Sequence, residues 1–369
     1  MTQKPTLVVF LGGLGATPVE QMVAGARRAA SLDTTEAALS TGAFDRAILA
    51  SDDAAGIPPI PDLEIDLDAR PFRFGARLAS LIERHALQSV VYLGGGSLPL
   101  FDPAAFAAIA QRLARGGTAI TNNAFSSDLV AFSVNDALLE TIRTTGRDNA
   151  LARALEESAG LTLEELPRTV ATQMDIDAPS DLAVLALTGE GGPRLREYLR
   201  SLDLDLSRYD RVLPLFTDNR SQIVVAGRVG SHSWRYLERE TACRVRLFAE
   251  ERGLEAEGRV EDRTARSLVG FFIESAGINR FFEVLPELGD AAFIDTRVLL
   301  AHFGIQASRE DRFLSDLGAL AEIEEPFLRD FTRAAVEAPI PVLLGGHSLM
   351  SGGLMALNEF AWRQHEAKS

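Results

Sequence analysis

The chain has 369 residues, 46% of them hydrophobic and 24% charged, with a formal net charge of −15. Of its 37 basic residues only Lys4 and Lys368 are lysines, which leaves 35 arginines. That imbalance excludes a P-loop nucleoside triphosphatase, which needs a lysine closing its glycine loop, and Schiff-base or pyridoxal-phosphate chemistry, which needs an internal amine. In chain order, the first predicted element is a strand over Thr6–Leu11, followed by Gly12-Gly13-Leu14-Gly15. Thr17 is a predicted cap for a helix with Pro18 at its first position and Val19, Met22, Val23 and Ala26 on one face. Residues 47–50 and Leu63–Leu67 read as further strands, each ending in carboxylates (Asp52, Asp53, Asp66, Asp68). A helix with Leu78, Leu81, Ile82 and Ala86 on one side follows.

Residues 89–93 form the clearest buried strand and run into Gly94-Gly95-Gly96-Ser97-Leu98-Pro99. Asp102 then caps a helix opened by Pro103, with Phe106, Ile109, Ala110 and Leu113 as its apolar face and Gly116-Gly117 at its end. Strands alternating with helices at this spacing predict an α/β domain with a mostly parallel sheet. The breakers Gly189-Glu190-Gly191-Gly192-Pro193 mark a boundary, so the expected domains are residues 1–190 and 195–369. The second half reads as mostly helical. A strand over 222–226 leads through Gly227-Arg228-Val229-Gly230 to a helix with Ser231 as its candidate cap. That helix is expected to carry Trp234, Leu237, Thr241, Val245 and Phe248 on one face and to end at Gly253, with Cys243 packed inside it as a small hydrophobe. Residues 292–331 are expected to be helical, with interruptions at Gly304, Gly318 and Pro326. A strand over 341–344 feeds Gly345-Gly346-His347-Ser348 and a last helix.

Several chemistries fail on residue type and spacing. One cysteine excludes an intramolecular disulfide and a cysteine-based zinc cluster. The five histidines (His85, His232, His302, His347, His365) include no pair at i, i+4 and no HExxH. Two glycine-flanked serines, Ser97 and Ser348, lack the final glycine of a nucleophile elbow. Gly13-x-Gly15 has Pro18 where a dinucleotide fingerprint needs its third glycine, so a plain turn and a phosphate-facing turn both stay open. The acidic balance argues against nucleic acid and against an anionic membrane as partners. The first apolar run is six residues long, too short for a signal peptide or a membrane span, and a cytoplasmic protein is expected. The sequence leaves homo-oligomerisation open.

The most informative signal is an ordered set of motifs. Gly12-Gly13-Leu14-Gly15, Gly94-Gly95-Gly96-Ser97-Leu98-Pro99-Leu100, Thr121-Asn122-Asn123-Ala124 and Met174-Asp175-Ile176-Asp177-Ala178-Pro179-Ser180-Asp181-Leu182 follow one another. Over about residues 6–187 the chain resembles the MobA-like nucleotidyltransferases, which include phospholactate guanylyltransferases. The resemblance implies a GT-A, Rossmann-like nucleotide-binding domain. It implies that Gly12, Gly13, Gly15, Gly94, Gly95, Gly96, Ser97, Asn122 and Asn123 line a nucleotide. Asp175 and Asp177 would be the catalytic carboxylates and hold Mg²⁺ or Mn²⁺. Partners would be a nucleoside triphosphate or nucleotide-sugar and a small phosphorylated acceptor.

Such residues suit the chemistry. An anionic nucleophile attacks the α-phosphorus, a divalent cation offsets the charge, and glycines let backbone N–H groups approach the phosphates. The chain also departs from the family. Thr17 stands where the family has an arginine, no loop lysine exists, Ser97 stands where the D-x-P-L motif has its aspartate, and Ala178 replaces a threonine. A structural alternative for Asp175–Asp181 is helix initiation at Pro179, with Asp181 at the positive helix end. Arginines of the second half are expected to replace the lost charge at phosphate, Arg220, Arg228 and Arg235 foremost, unless they pair with nearby glutamates. The loop 345–353 is a second phosphate-cradle candidate. A catalytically degenerate nucleotide- or nucleotide-sugar-binding protein and a GT-A glycosyltransferase are the alternative readings.

Overall fold

The structure, a computed structural model, describes residues 4–13, 15–68, 71–253, 259–260 and 262–368. Leu14 of the first glycine motif lies outside the described residues. Contacts divide the chain into two compact units. The first comprises Met1–Leu14, Ala24–Gln173 and Gly191–Leu195; the second comprises Gly15–Val23, Met174–Glu190 and Arg196–Ser369.

The first unit is an α/β domain built on a mostly parallel, seven-stranded sheet. Its strands are β1 (Thr6–Leu11), β2 (Ala47–Ser51), β3 (Leu63–Leu67), β4 (Ser89–Gly94), β5 (Thr118–Thr121), β6 (Leu129–Ser133) and β7 (Thr162–Glu165). They lie in the order β3-β2-β1-β4-β6-β5-β7. Only β6 runs antiparallel to its neighbours. Alternate residues of β1 enter two cores. Leu7, Val9 and Leu11 join Leu49, Leu93 and Phe106 on one face, and Val8 joins Ile48, Tyr92 and Leu78 on the other. Burial on both faces is what a central parallel strand needs, and it explains the near-continuous apolar runs in β1, β2 and β4. The helix Pro103–Leu113 starts as its sequence directs: Asp102 Oδ1 accepts the Ala105 N–H at 2.7 Å. At the preceding long helix, Pro18–Ser40, Thr17 does not act as the expected side-chain cap. Its Oγ1 has no hydrogen-bond partner among the described residues.

The second unit is helix-rich but holds a four-stranded sheet of its own. Its strands are β8 (Gln222–Gly227), β9 (Arg244–Ala249), β10 (Ala291–Asp295) and β11 (Val342–Gly345), all parallel, in the order β11-β10-β8-β9. Two expectations are corrected here. The helix expected through residue 253 stops at Glu240, and residues 244–249 form edge strand β9. There the arginines Arg244 and Arg246 alternate with Val245 and Leu247, and parallel pairing with β8 outweighs the apparent helical period. Cys243 therefore precedes a strand, where it is buried, instead of sitting inside a helix. Within the stretch expected to be helical from 292, all five residues of β10 are buried between β8 and β11. A short continuous apolar run of this kind has no period that separates strand from helix.

One face of this sheet packs on the helices Leu268–Ala276 and Ile278–Leu288 and encloses a cavity of about 430 Å³. Its lining, which includes Val224, Phe248, Phe272 and Ile294, is apolar apart from Ser275, so it offers little to orient a ligand. No described helix is long and apolar enough to cross a membrane.

Candidate functional site

In the first sheet the chain passes from β1 to β2 on one side and later to β4 on the other. The crevice beyond the carboxyl ends of two such strands is where open α/β sheets receive ligands. Both sequence-predicted glycine loops of this unit lie at that edge, since Gly12-Gly13 follows β1 and Gly94-Gly95-Gly96 follows β4. Their residue types are set by close approach. A Cβ on Gly95 would stand 2.5 Å from the Phe10 carbonyl oxygen and 3.0 Å from Leu11 Cα, so the second loop packs backbone to backbone on the end of β1. Gly96 has φ +85°, and a Cβ there would meet Arg27 Cγ at 2.6 Å. Ser97 closes this loop: it is buried, and its N–H donates to the Gly94 carbonyl at 3.1 Å.

Two charged residues at this edge were not singled out from sequence. Arg27, on the helix Pro18–Ser40, donates its Nε–H to the Gly95 carbonyl at 2.7 Å. Asp52, after β2, accepts the Gly13 N–H at 3.3 Å, and a Cβ on Gly12 would stand 2.9 Å from its Oδ1. Asp52 was read only as a strand-end carboxylate. Arg27 is separated from Gly95 by 68 positions, and nothing local marks it.

Asn122 and Asn123 lie after β5. Asn122 is buried and its amide is committed within the unit. Nδ2 donates to Asp128 Oδ2 at 2.9 Å and to the Thr172 carbonyl at 3.3 Å, while Oδ1 accepts the N–H groups of Asp128 and Leu129. Asn123 Oδ1 accepts the Phe125 N–H at 3.1 Å. These contacts tie the end of β5 to the start of β6, the reversed strand beside β4.

Gly15, Asp175 and Asp177 belong by contacts to the second unit. Asp175 is half-buried, and its Oδ1 accepts the Ile176 N–H at 2.9 Å. Its backbone is clasped by one hydroxyl: Ser348 Oγ donates to the Asp175 carbonyl at 2.9 Å and accepts its N–H at 3.3 Å. Asp177 is exposed. The helix Pro179–Thr188 opens on Pro179, and Asp181 Oδ2 accepts the N–H groups of Asp177 (2.9 Å) and Ala178 (2.8 Å). Burial, reinforced by the Asp177 charge, pushes Asp181 well above the usual carboxylate range. Among the described residues, no three His, Cys, Asp or Glu side chains gather where they could hold a metal ion. Asp175 and Asp177 would thus offer a divalent cation at most two carboxylates, its other ligands coming from water and substrate phosphates.

The structure separates the three arginines expected at phosphate. Arg220 precedes β8, at the amino end of the sheet, and its N–H donates to Asp218 Oδ1 at 3.0 Å. Arg235 is exposed on the helix Ser231–Glu240. Arg228 alone lies at the carboxyl edge of β8, where Nε donates to Asp295 Oδ2 at 2.6 Å and Nη2 to Oδ1 at 3.2 Å.

No protein-family model matches the chain, and no curated protein matches it. Solved structures similar to it include the following three. One is described as a nucleotide-diphospho-sugar transferase from Desulfovibrio desulfuricans, with 15% identity and a TM-score of 0.42 over 55% of this chain and 100% of that one. The bifunctional IspDF from Campylobacter jejuni gives 11% identity and a TM-score of 0.35 over 46% of this chain and 51% of its own. Rv0371C from Mycobacterium tuberculosis, in complex with manganese, gives 18% and 0.34 over 55% and 100%.

Proposed function

We propose that the first unit binds a nucleoside triphosphate or nucleotide-sugar at the carboxyl edge of β1 and β4, as a nucleotidyltransferase-like protein. The activity proposed is transfer of a nucleoside monophosphate to a small phosphorylated acceptor. The observation that carries this reading is the packing of the second glycine loop on the end of β1 at the sheet's switch point, with Arg27 seated on that loop. Glycines let phosphates approach a backbone without a Cβ in the way; the N–H groups of Gly94 and Gly96 are themselves used inside the unit, by the Asp128 carbonyl and Ser31 Oγ. Arg27 is a guanidinium at this edge in a chain that has no loop lysine. In the reaction an acceptor oxygen bonds to the α-phosphorus and the bond to the leaving pyrophosphate breaks. Any Mg²⁺ or Mn²⁺ would be brought by the triphosphate, and no step is assigned to Asp175 or Asp177 through it.

The test is pyrophosphate release from a panel of nucleoside triphosphates with phosphorylated and sugar acceptors, with and without Mg²⁺. Arg27→Met is expected to weaken nucleotide binding about tenfold, the scale of one charge-assisted contact. Release unaffected by that substitution would remove Arg27 from the site.

A second reading, binding without turnover, is favoured by Ser97 at the family's aspartate position and by the lack of a carboxylate cluster among the described residues. It expects thermal stabilisation by nucleotide that is indifferent to Mg²⁺, with no pyrophosphate released. A glycosyltransferase would instead release a nucleoside diphosphate from a nucleotide-sugar.

A further inference from the structure

The second unit repeats the topological feature of the first with different chemistry. Strand β8 is flanked by β9 and β10, so the chain leaves it to one side and later crosses to the other. The carboxyl ends of β8 and β10 are thus a switch point of a parallel sheet. Register makes this edge regular. Ala226 faces Ile294 and Asp295 faces Gly345, so Gly227, Asp295 and Gly345 form the last row across three strands.

Several groups converge on that row. The loop after β8 leads into the helix Ser231–Glu240, whose N-cap is Gly230 and has no side-chain acceptor. Ser231, the expected cap, is the first helical residue instead. The positive end of the helix therefore lacks a side-chain cap. Arg228 is held at this end by its two bonds to Asp295, which is fully buried, while its own side chain remains 23% exposed. Arg252 reaches the same turn, its Nη1 lying 2.8 Å from where a Cβ on Gly230 would stand. His347, in the loop after β11, has Nδ1 3.2 Å from the Arg228 carbonyl. Burial, then the charges of Arg228 and Arg252, hold His347 down to about 4, so its ring is neutral near pH 7. A separate sign comes from Ser180. Its Oγ is buried with no hydrogen-bond partner among the described residues and lies 2.8 Å from the position of a Cβ on Gly345. A buried hydroxyl without a partner is costly unless something supplies one.

We propose that this edge is a second anion site, taking a phosphate group through Arg228, Arg252 and the backbone N–H groups at the start of the helix Ser231–Glu240. Asp295 is its positioning residue: it takes Nε and Nη2 of Arg228 and leaves Nη1 for the phosphate. The site stands independently of nucleotide binding in the first unit. Tetrahedral, doubly charged phosphate matches guanidinium forks and a helix N-terminus together better than a planar, singly charged carboxylate does.

The test is calorimetric titration of the full chain with inorganic phosphate, with glycerol 3-phosphate and acetate as parallel arms. Saturable binding of either phosphate, with acetate much weaker, is expected; the tighter of the two phosphates identifies the source. Arg252→Glu and Ser231→Asp, both at exposed positions, should each weaken phosphate binding about tenfold or more, the second by placing a carboxylate at the helix end. Arg220→Glu, at the amino end of the same sheet, should change it by less than about twofold. Arg27→Met, at the first unit's edge, should leave it as it was. Absence of phosphate binding overturns the proposal. So does indifference to Arg252→Glu and Ser231→Asp, or a loss in Arg220→Glu or Arg27→Met equal to theirs.

Discussion

The two carboxyl edges present opposite solutions to the same topological opportunity. At the first, backbone meets backbone: Gly95 touches the end of β1 and Arg27 settles on the loop through one carbonyl. At the second, the edge is built from charged side chains fixed in buried pairs, Arg228 with Asp295 and Arg297 with Asp316. A glycine edge depends on the absence of atoms and fails when a methyl is added. An ion-paired edge depends on complementary charge and fails when one partner is removed.

The largest effect should come from breaking the second edge. Asp316 has a fully buried side chain and receives two hydrogen bonds from Arg297. Arg297→Met strands that carboxylate and should destabilise the protein by about 3–5 kcal/mol in a urea titration, with recovery when Asp316→Leu is added. Next is the first edge. Gly95→Val places a side chain against the Phe10 carbonyl and should cost about 2–3 kcal/mol by the same measurement, through overpacking. Asp102→Ala removes a helix cap and should cost about 1 kcal/mol, which sets a baseline for an ordinary local contact.

A further effect is a change with pH. Because Asp181 is raised in the folded chain, the stability it contributes is full below its unfolded value near 3.8 and is lost as pH rises through the folded value. Asp181→Asn keeps an oxygen to accept the same two N–H groups but does not titrate. Its melting temperature relative to the native chain should therefore climb as pH rises above about 4. A flat difference would mean that Asp181 is charged in the folded protein.

What the sequence discloses follows contact range. Strands β1 to β4 are legible because each is a compact apolar or alternating run bounded by turn residues, and the Asp102 cap is legible because it acts three residues away. Strands β5 and β7 are as short as β11 but mix threonine and glutamate into their four residues, so they lack the apolar run that marks it. Strand β9 is disguised by Val245 and Phe248, which extend the helical spacing of Trp234 and Leu237. Strand β10 is apolar throughout and passes for helix. At the first edge the glycines are visible in sequence, whereas Arg27 is not, because only the fold brings it to Gly95. At the second edge Gly227, Arg228 and Gly345 are visible as loop residues, while the register that aligns them with Asp295 is a property of pairing alone.

The most direct test of the nucleotide reading is a calorimetric titration of the full chain with nucleoside triphosphates and nucleotide-sugars, with and without Mg²⁺, comparing the native chain with Arg27→Met. The expected result is one saturable site that Arg27→Met weakens and that Arg252→Glu does not. Absence of binding to every nucleotide, or binding lost equally in both variants, would contradict the assignment of the first edge as the nucleotide site.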